Sequence, residues 1–182
     1  ILDPTGEVEN VVMATARTPV PSALYQFPAM SGLPWHVALI ESLLDSFPAS
    51  IVGLKDSSGD MAYARSAATI SKSFAVFPST EAALIEARGG AFAGCISATA
   101  NLNADLCARA WSAGDATALE AAVAIRKLFD GKPLVSGVKA LLAHIHGDPA
   151  LARVKSPLAP LTASDRTAVT AGNDAVRAKR VA

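Results

Sequence analysis

The sequence lacks an excess of either charge. Its 182 residues include 16 basic and 16 acidic side chains, which balance. A chain that binds nucleic acid or an anionic membrane through bulk charge would carry a clear basic surplus. The composition therefore predicts neither nucleic acid nor a membrane surface as a partner.

Cysteine, aromatic residues and long apolar runs are also scarce. The two cysteines, Cys95 and Cys107, lack the C-x-x-C spacing, so the sequence predicts no disulfide framework and favours a reducing compartment. No uninterrupted apolar stretch reaches the length of a membrane span, and no signal-like segment opens the sequence. We therefore expect a soluble, cytoplasmic protein.

Short apolar runs alternate with amphipathic segments along the chain. We predict strands over Ala23–Phe27, Ile51–Lys55, Phe74–Phe77 and Ala93–Ser97. The predicted helices are residues 35–46, 60–73, 80–88, 105–113, 115–129, 134–146 and 164–179. Strand–helix units in series predict an α/β fold with a parallel sheet and right-handed crossovers.

Reactive side chains gather at one edge of this predicted sheet. Ligands of parallel α/β folds bind at the carboxyl ends of the strands. Tyr25 and Lys55 stand at two such ends, and hydroxyl-bearing residues follow the other two. The pattern predicts a chemically competent site at this edge.

Lys55 is the most informative of these residues, because it ends a buried strand and is followed by Asp-Ser-Ser-Gly-Asp. Surroundings of low dielectric disfavour a charged ammonium, and a neutral lysine amine attacks ketones and aldehydes to form a Schiff base. Alternatively, a lysine at a strand end extends its stem along the protein and keeps its ammonium in water.

Three segments resemble one known family. Leu24–Gly32 (LYQFPAMSG), Gly53–Asp60 (GLKDSSGD) and Gly94–Asn101 (GCISATAN) are similar, in this order, to motifs of the dihydrodipicolinate synthase / N-acetylneuraminate lyase family of class I, Schiff-base aldolases and lyases. The helical tail, with residues 133–146 and 155–161, is similar to the extra helices of that family.

The resemblance implies an eight-stranded (β/α)8 TIM barrel. This chain would supply about strands 5–8 and the C-terminal helices, with the N-terminal half absent. We expect residues 1–103 to form the C-terminal half of the barrel and residues 104–182 to form a helical extension packed on it. Half a barrel leaves open sheet edges, so we expect a piece of a longer chain or a half-barrel that must associate. The family also implies a homotetramer.

The chemistry implied by the resemblance needs no cofactor and no metal. Lys55 would condense with the ketone of pyruvate or another 2-oxo acid substrate, and Tyr25 would relay protons. Further substrate contacts would come from Ile96, Ser57, Ser79 and Glu81. Two alternatives remain open: Tyr25 as a core tyrosine, and Glu81 as a charge in the first turn of a helix.

The residue type at position 30, which is methionine here, differs between the activities within the family. The synthase branch carries an arginine at this position, which binds a substrate carboxylate with its planar fork. A thioether cannot form that ion pair. Met30 therefore favours a 2-keto-3-deoxy sugar-acid aldolase or lyase, or a related dehydratase. 4-Hydroxy-tetrahydrodipicolinate synthase and a non-catalytic half-barrel binding module are the alternatives.

Overall fold

A computed structural model describes residues 20–179 of the chain. The β-strands within this range are β1 (Ser22–Gln26), β2 (Ile51–Asp56) and β3 (Ala75–Pro78). The α-helices are α1 (Pro28–Ser31), α2 (Val37–Ser46), α3 (Met61–Ala68), α4 (Leu84–Arg88), α5 (Ala100–Ala113), α6 (Ala116–Lys127), α7 (Leu134–His146) and α8 (Ala163–Ala178). Two 3-10 helices cover Glu81–Ala83 and Pro149–Ala152.

These elements belong to two compact units. Within the described residues, the first unit comprises residues 20–79 and 86–96, and the second comprises residues 80–85 and 97–179. The first unit contains the sheet, and the second contains the C-terminal helices. The expected division at residue 103 stays a prediction.

The sheet of the first unit is parallel, with the strand order β1-β2-β3. Leu24, Leu54 and Val76 lie next to one another across the three strands as register partners, and all three are buried. Burial of such a row removes a large apolar area from water and is the main stabilising contribution of the sheet. The predicted parallel α/β arrangement is therefore present in the described part of the chain.

The fourth predicted strand, Ala93–Ser97, is not formed as a strand. Two backbone hydrogen bonds nevertheless hold this segment beside β3, from Ala93 N to Val76 O (3.0 Å) and from Ile96 N to Pro78 O (3.1 Å). Between them Gly94 has a φ of 155°, which L side chains rarely adopt. The regular ladder is interrupted at this glycine, so the described sheet has three strands.

Helix α3 begins where the sequence predicted a helix start. The Asp60 carboxylate accepts hydrogen bonds from the backbone N–H groups of Ala62 and Tyr63, at 2.9 and 3.0 Å. Such a cap satisfies two donors that the first helical turn leaves without a partner. The helix consequently starts at a fixed place, directly after the loop that follows β2, and it packs against β3.

The second unit is helical and has its own apolar core. Leu106, Ile125 and Leu141, from α5, α6 and α7, are among its most deeply buried side chains. Val169 brings α8 into the same cluster. No helix in residues 20–179 combines the length and the apolar character that crossing a membrane requires.

Helix α5 starts five residues before the predicted helix at Asp105. Its backbone is kinked at Asn103, where φ is −131° and ψ is 25°. The Asn103 side chain is fully buried and donates to the carbonyl oxygen of Ala122 in α6 at 3.0 Å. A tertiary contact thus accommodates a bend that helical periodicity does not reveal.

Candidate active site

Tyr25 and Lys55 lie side by side at the carboxyl ends of β1 and β2. They are register partners in the parallel ladder. The Lys55 Nζ atom lies 4.0 Å from the centroid of the Tyr25 ring. Lys55 is half-buried, whereas the Tyr25 side chain is 47% exposed. The two residues predicted to carry the chemistry are therefore neighbours, and both are open to solvent at this edge.

Ser57 completes a polar cluster with this pair. Its hydroxyl donates to the Tyr25 phenol oxygen at 3.4 Å. The adjacent Lys55 side chain, acting as a hydrogen-bond donor, lowers the pKa of Tyr25, and the Ser57 hydroxyl lowers it further. Burial opposes this shift but does not cancel it. A phenol with a lowered pKa releases its proton more readily, as a proton relay requires.

The loop after β2 is fixed by Asp56. This carboxylate is 3% exposed and accepts a hydrogen bond from the backbone N–H of Ser58 at 2.9 Å. The Asp56 carbonyl oxygen accepts from Ser79 N at 2.8 Å, and Ser57 N donates to the carbonyl oxygen of Gln26 at 2.7 Å. Backbone bonds thus tie the loop that carries Ser57 to the ends of both neighbouring strands.

Ser79 and Ile96 lie at the same edge, beyond the end of β3. Ser79 is half-buried, and its N–H makes the bond to Asp56 just described. Ile96 is 45% exposed and is held to Pro78 through its backbone. Their proposed contacts with substrate stay predictions, but both residues lie near the end of β3, in the unit that contains Lys55.

Glu81 belongs to the second unit and is fully buried there. Its Oε1 atom accepts hydrogen bonds from the hydroxyls of Ser97 (3.0 Å) and Thr99 and from Asn103 Nδ2 (3.3 Å). Its Oε2 atom lies 3.8 Å from Arg126 Nη1. A carboxylate so surrounded favours a structural role for Glu81, and a contact with substrate stays a prediction.

Sequence reasoning missed the side chains that surround the end of β1. Trp35 Nε1 donates to the carbonyl oxygen of Tyr25 at 3.0 Å, and Trp35 N donates to Gln26 Oε1 at 2.9 Å. The Tyr63 hydroxyl in turn donates to the carbonyl oxygen of Trp35 at 2.6 Å. The one signal in the sequence was the rarity of tryptophan, of which the chain has two.

Comparisons with known proteins agree on one family. A sequence model of the dihydrodipicolinate synthetase family matches residues 9–175. An uncharacterized DapA-like lyase of Chloroflexus aurantiacus is 28% identical over 160 residues, which cover 85% of this chain and 53% of that protein.

Solved structures of similar fold include YagE, a prophage protein of Escherichia coli K12 belonging to the dihydrodipicolinic acid synthase family, in complex with pyruvate. It has a TM-score of 0.80 and 24% identity, covering 95% of this chain and 60% of YagE. A Sulfolobus 2-keto-3-deoxygluconate aldolase in complex with D-KDPG has a TM-score of 0.83 and 15% identity, covering 99% of this chain and 62% of that one. At these identities the likeness shows the α/β fold alone.

The chain is shorter than these proteins. It spans about half the length of the curated relative that it matches, and about three fifths of the two solved structures.

Proposed function

The chain belongs to the dihydrodipicolinate synthetase family, and from this membership we propose that its protein is a Schiff-base lyase or aldolase. Its substrate would be pyruvate or a 2-keto-3-deoxy sugar acid. Lys55 would form the imine, and Tyr25 would relay protons. The observation that carries the proposal is the placement of the Lys55 amine 4.0 Å from the Tyr25 ring, at the carboxyl edge of a parallel sheet.

The proposed reaction begins when the Lys55 amine adds to the C2 ketone. The carbinolamine so formed loses its hydroxyl as water, and the C=N bond of the imine takes its place. The protonated imine then accepts the electron pair released when a bond at the neighbouring carbon breaks; in the reverse direction it supplies that pair. Tyr25 is near enough to Lys55 to donate and accept the protons of these steps, and Ser57 orients its phenol.

The family supports further proposals about the whole protein. We propose that β1–β3 and the segment 93–97 correspond to strands 5–8 of a (β/α)8 barrel whose remaining strands complete the sheet beyond β1. The imine would serve in place of a cofactor. By family resemblance, the protein would be a cytoplasmic homotetramer.

Met30 supports the choice of substrate. It lies in α1, directly after the strand that carries Tyr25, and its side chain is 77% exposed. A thioether offers apolar contact, but it has no charge with which to bind a carboxylate on the aldehyde acceptor. We therefore propose that the protein cleaves or forms a 2-keto-3-deoxy sugar acid, whose aldehyde fragment carries no carboxylate, in preference to condensing pyruvate with aspartate semialdehyde, the acceptor that a dihydrodipicolinate synthase would use.

Reductive trapping tests the imine. The full-length protein is incubated with pyruvate and borohydride, and the labelled peptide is mapped by mass spectrometry. We expect the adduct on Lys55 and none in Lys55→Arg, because the guanidinium does not form this imine. Lys72→Arg, at an exposed lysine of the same unit, is the matched control and should retain the label. Absence of label, or label confined to another lysine, contradicts the proposal.

The choice of reaction is tested by turnover. Cleavage of 2-keto-3-deoxygluconate is measured by pyruvate release, and condensation of pyruvate with aspartate semialdehyde is measured alongside. We expect the larger kcat/KM with the sugar acid. A larger value with aspartate semialdehyde would favour the synthase instead.

A further inference from the structure

We propose that Trp35 is a positioning residue, which holds the end of β1 so that the Tyr25 phenol stays against Lys55 and Ser57. This inference rests on the proposed function, since it assigns Trp35 a part in the same site. It concerns contacts that lie wholly within the first unit.

Trp35 donates hydrogen bonds to each of the last two residues of β1. Its indole N–H donates to the Tyr25 carbonyl oxygen at 3.0 Å, and its backbone N–H donates to Gln26 Oε1 at 2.9 Å. Gln26 is 3% exposed, so its side-chain amide cannot exchange this partner for bulk water. The first bond acts directly on the Tyr25 backbone, and the second holds the side chain of the next residue.

Tyr63 anchors Trp35 to the element that follows Lys55. Its hydroxyl donates to the Trp35 carbonyl oxygen at 2.6 Å. Tyr63 lies in the first turn of α3, which Asp60 caps five residues after Lys55. Burial, with a further contribution from the Asp56 charge, raises the pKa of Tyr63, so its phenol remains a donor at neutral pH. Trp35 therefore links the end of β1 to the chain beyond β2 independently of the sheet ladder.

Tyr25 needs such support because its own side chain is lightly packed. The ring is 47% exposed and stacks on Phe27 with a centroid distance of 5.6 Å. The charged group that faces it is Lys55, from β2, at 4.0 Å, and the polar group is the Ser57 hydroxyl. With so few contacts at the ring, the backbone at Tyr25 determines where the phenol lies, and a displacement of 1 Å affects proton transfer.

The test uses Trp35→Phe in the full-length protein, which keeps a ring but removes the indole donor. The Tyr25 phenol is titrated by ultraviolet difference absorbance, each protein being compared with the same protein carrying Tyr25→Phe. We expect the titration midpoint to rise, because the phenol moves away from the two groups that stabilise its ionised form. We expect kcat to fall about five-fold, the equivalent of one hydrogen bond, with a smaller change in KM.

Trp111→Phe is the matched control, because Trp111 is the other tryptophan of the chain and lies in the second unit. It should leave the titration and kcat unchanged. Tyr63→Phe removes the anchoring hydroxyl and should shift the Tyr25 midpoint in the same direction as Trp35→Phe. It also serves as the test if Trp35→Phe fails to fold.

A merely stabilising role for Trp35 would lower the free energy of unfolding without moving the Tyr25 titration. An unchanged midpoint in the folded variant therefore overturns the inference. The titration does not depend on turnover. If the unaltered protein traps no 2-oxo acid, the proposed function fails, while the midpoint still decides whether Trp35 positions Tyr25.

Discussion

At the scale of single residues, Gly53 allows β2 and β3 to approach each other. A Cβ atom at this position would lie 2.4 Å from the carbonyl oxygen of Ala75, which is backbone and cannot rotate away. Gly53 is two residues before Lys55 on the same strand, so the close approach also fixes the strand that presents the lysine. The sequence motif contains this glycine, but its steric reason becomes visible only when β3 is in place.

Gly53→Ala should lower the free energy of unfolding by about 1–3 kcal/mol, the usual cost of overpacking a well-packed site. The measurement is urea unfolding followed by circular dichroism. Gly172→Ala in α8 is the matched control. Its Cβ would meet the tip of the Leu128 side chain, which can rotate, and alanine favours a helix. A similar loss in both variants would contradict the steric explanation.

Glu81 presents a second prediction at this scale. Glu81→Gln would turn an amide N–H₂ toward Arg126 or toward the three donors that now meet its Oε1 atom. Leaving buried groups without suitable partners costs about 1–3 kcal/mol. We expect a lower urea midpoint for this variant. Glu86→Gln, which breaks the exposed pair with Arg65, should change the midpoint little. An equal fall in the urea midpoint of both variants would show that burial of Glu81 does not cause the loss of stability.

At the scale of elements, Arg177 of α8 is joined to α5. Its guanidinium donates to both carboxylate oxygens of Asp105, at 3.1 and 3.2 Å, and to the carbonyl oxygen of Leu102 at 2.7 Å. The hydrogen bonds from Arg177 lower the pKa of Asp105 in the folded protein. The pair is largely exposed, so its contribution to stability is small.

The lowered pKa gives the sign of a pH effect. The folded protein binds the Asp105 proton less readily than the unfolded chain, so the stabilisation is present above the unfolded pKa of about 3.9 and is lost as pH falls through the folded value. The unfolding free energies of the unaltered protein and Asp105→Asn should therefore differ at pH 6 and converge in acid. Asp130→Asn, at an exposed aspartate, is the control, and it should change the free energy of unfolding little at either pH. A gap that persists in acid contradicts the assignment.

Element prediction succeeded where periodicity alone decides the structure. The three strands of the sheet and the helix starts at Asp60 and Asp115 were readable from local patterns. It failed at Gly94, where one backbone angle interrupts a fourth strand, and at Asn103, where a buried amide accompanies a kinked helix. Both depend on contacts with other elements, which a local pattern does not contain.

At the scale of the whole molecule, three short segments were sufficient to predict the family. The match over residues 9–175 confirms that resemblance. The pairing of Tyr25 with Lys55 was also predictable, because both end neighbouring parallel strands. The Trp35 contacts were not, since they join residues 9, 10 and 28 positions apart, and neither Trp35 nor Tyr63 belongs to the three family segments.

The bond between the Trp35 indole and the Tyr25 carbonyl also makes the site optically observable. Indole emission responds to its hydrogen bonds and to nearby charge, and Trp35 lies against the strand end that carries Tyr25. The chain has one other tryptophan, Trp111, in a helix of the second unit. Tryptophan fluorescence from a Trp111→Phe background would thus come, within this sequence, from one indole at the strand end that carries Tyr25, and it would report changes at that strand end without a label.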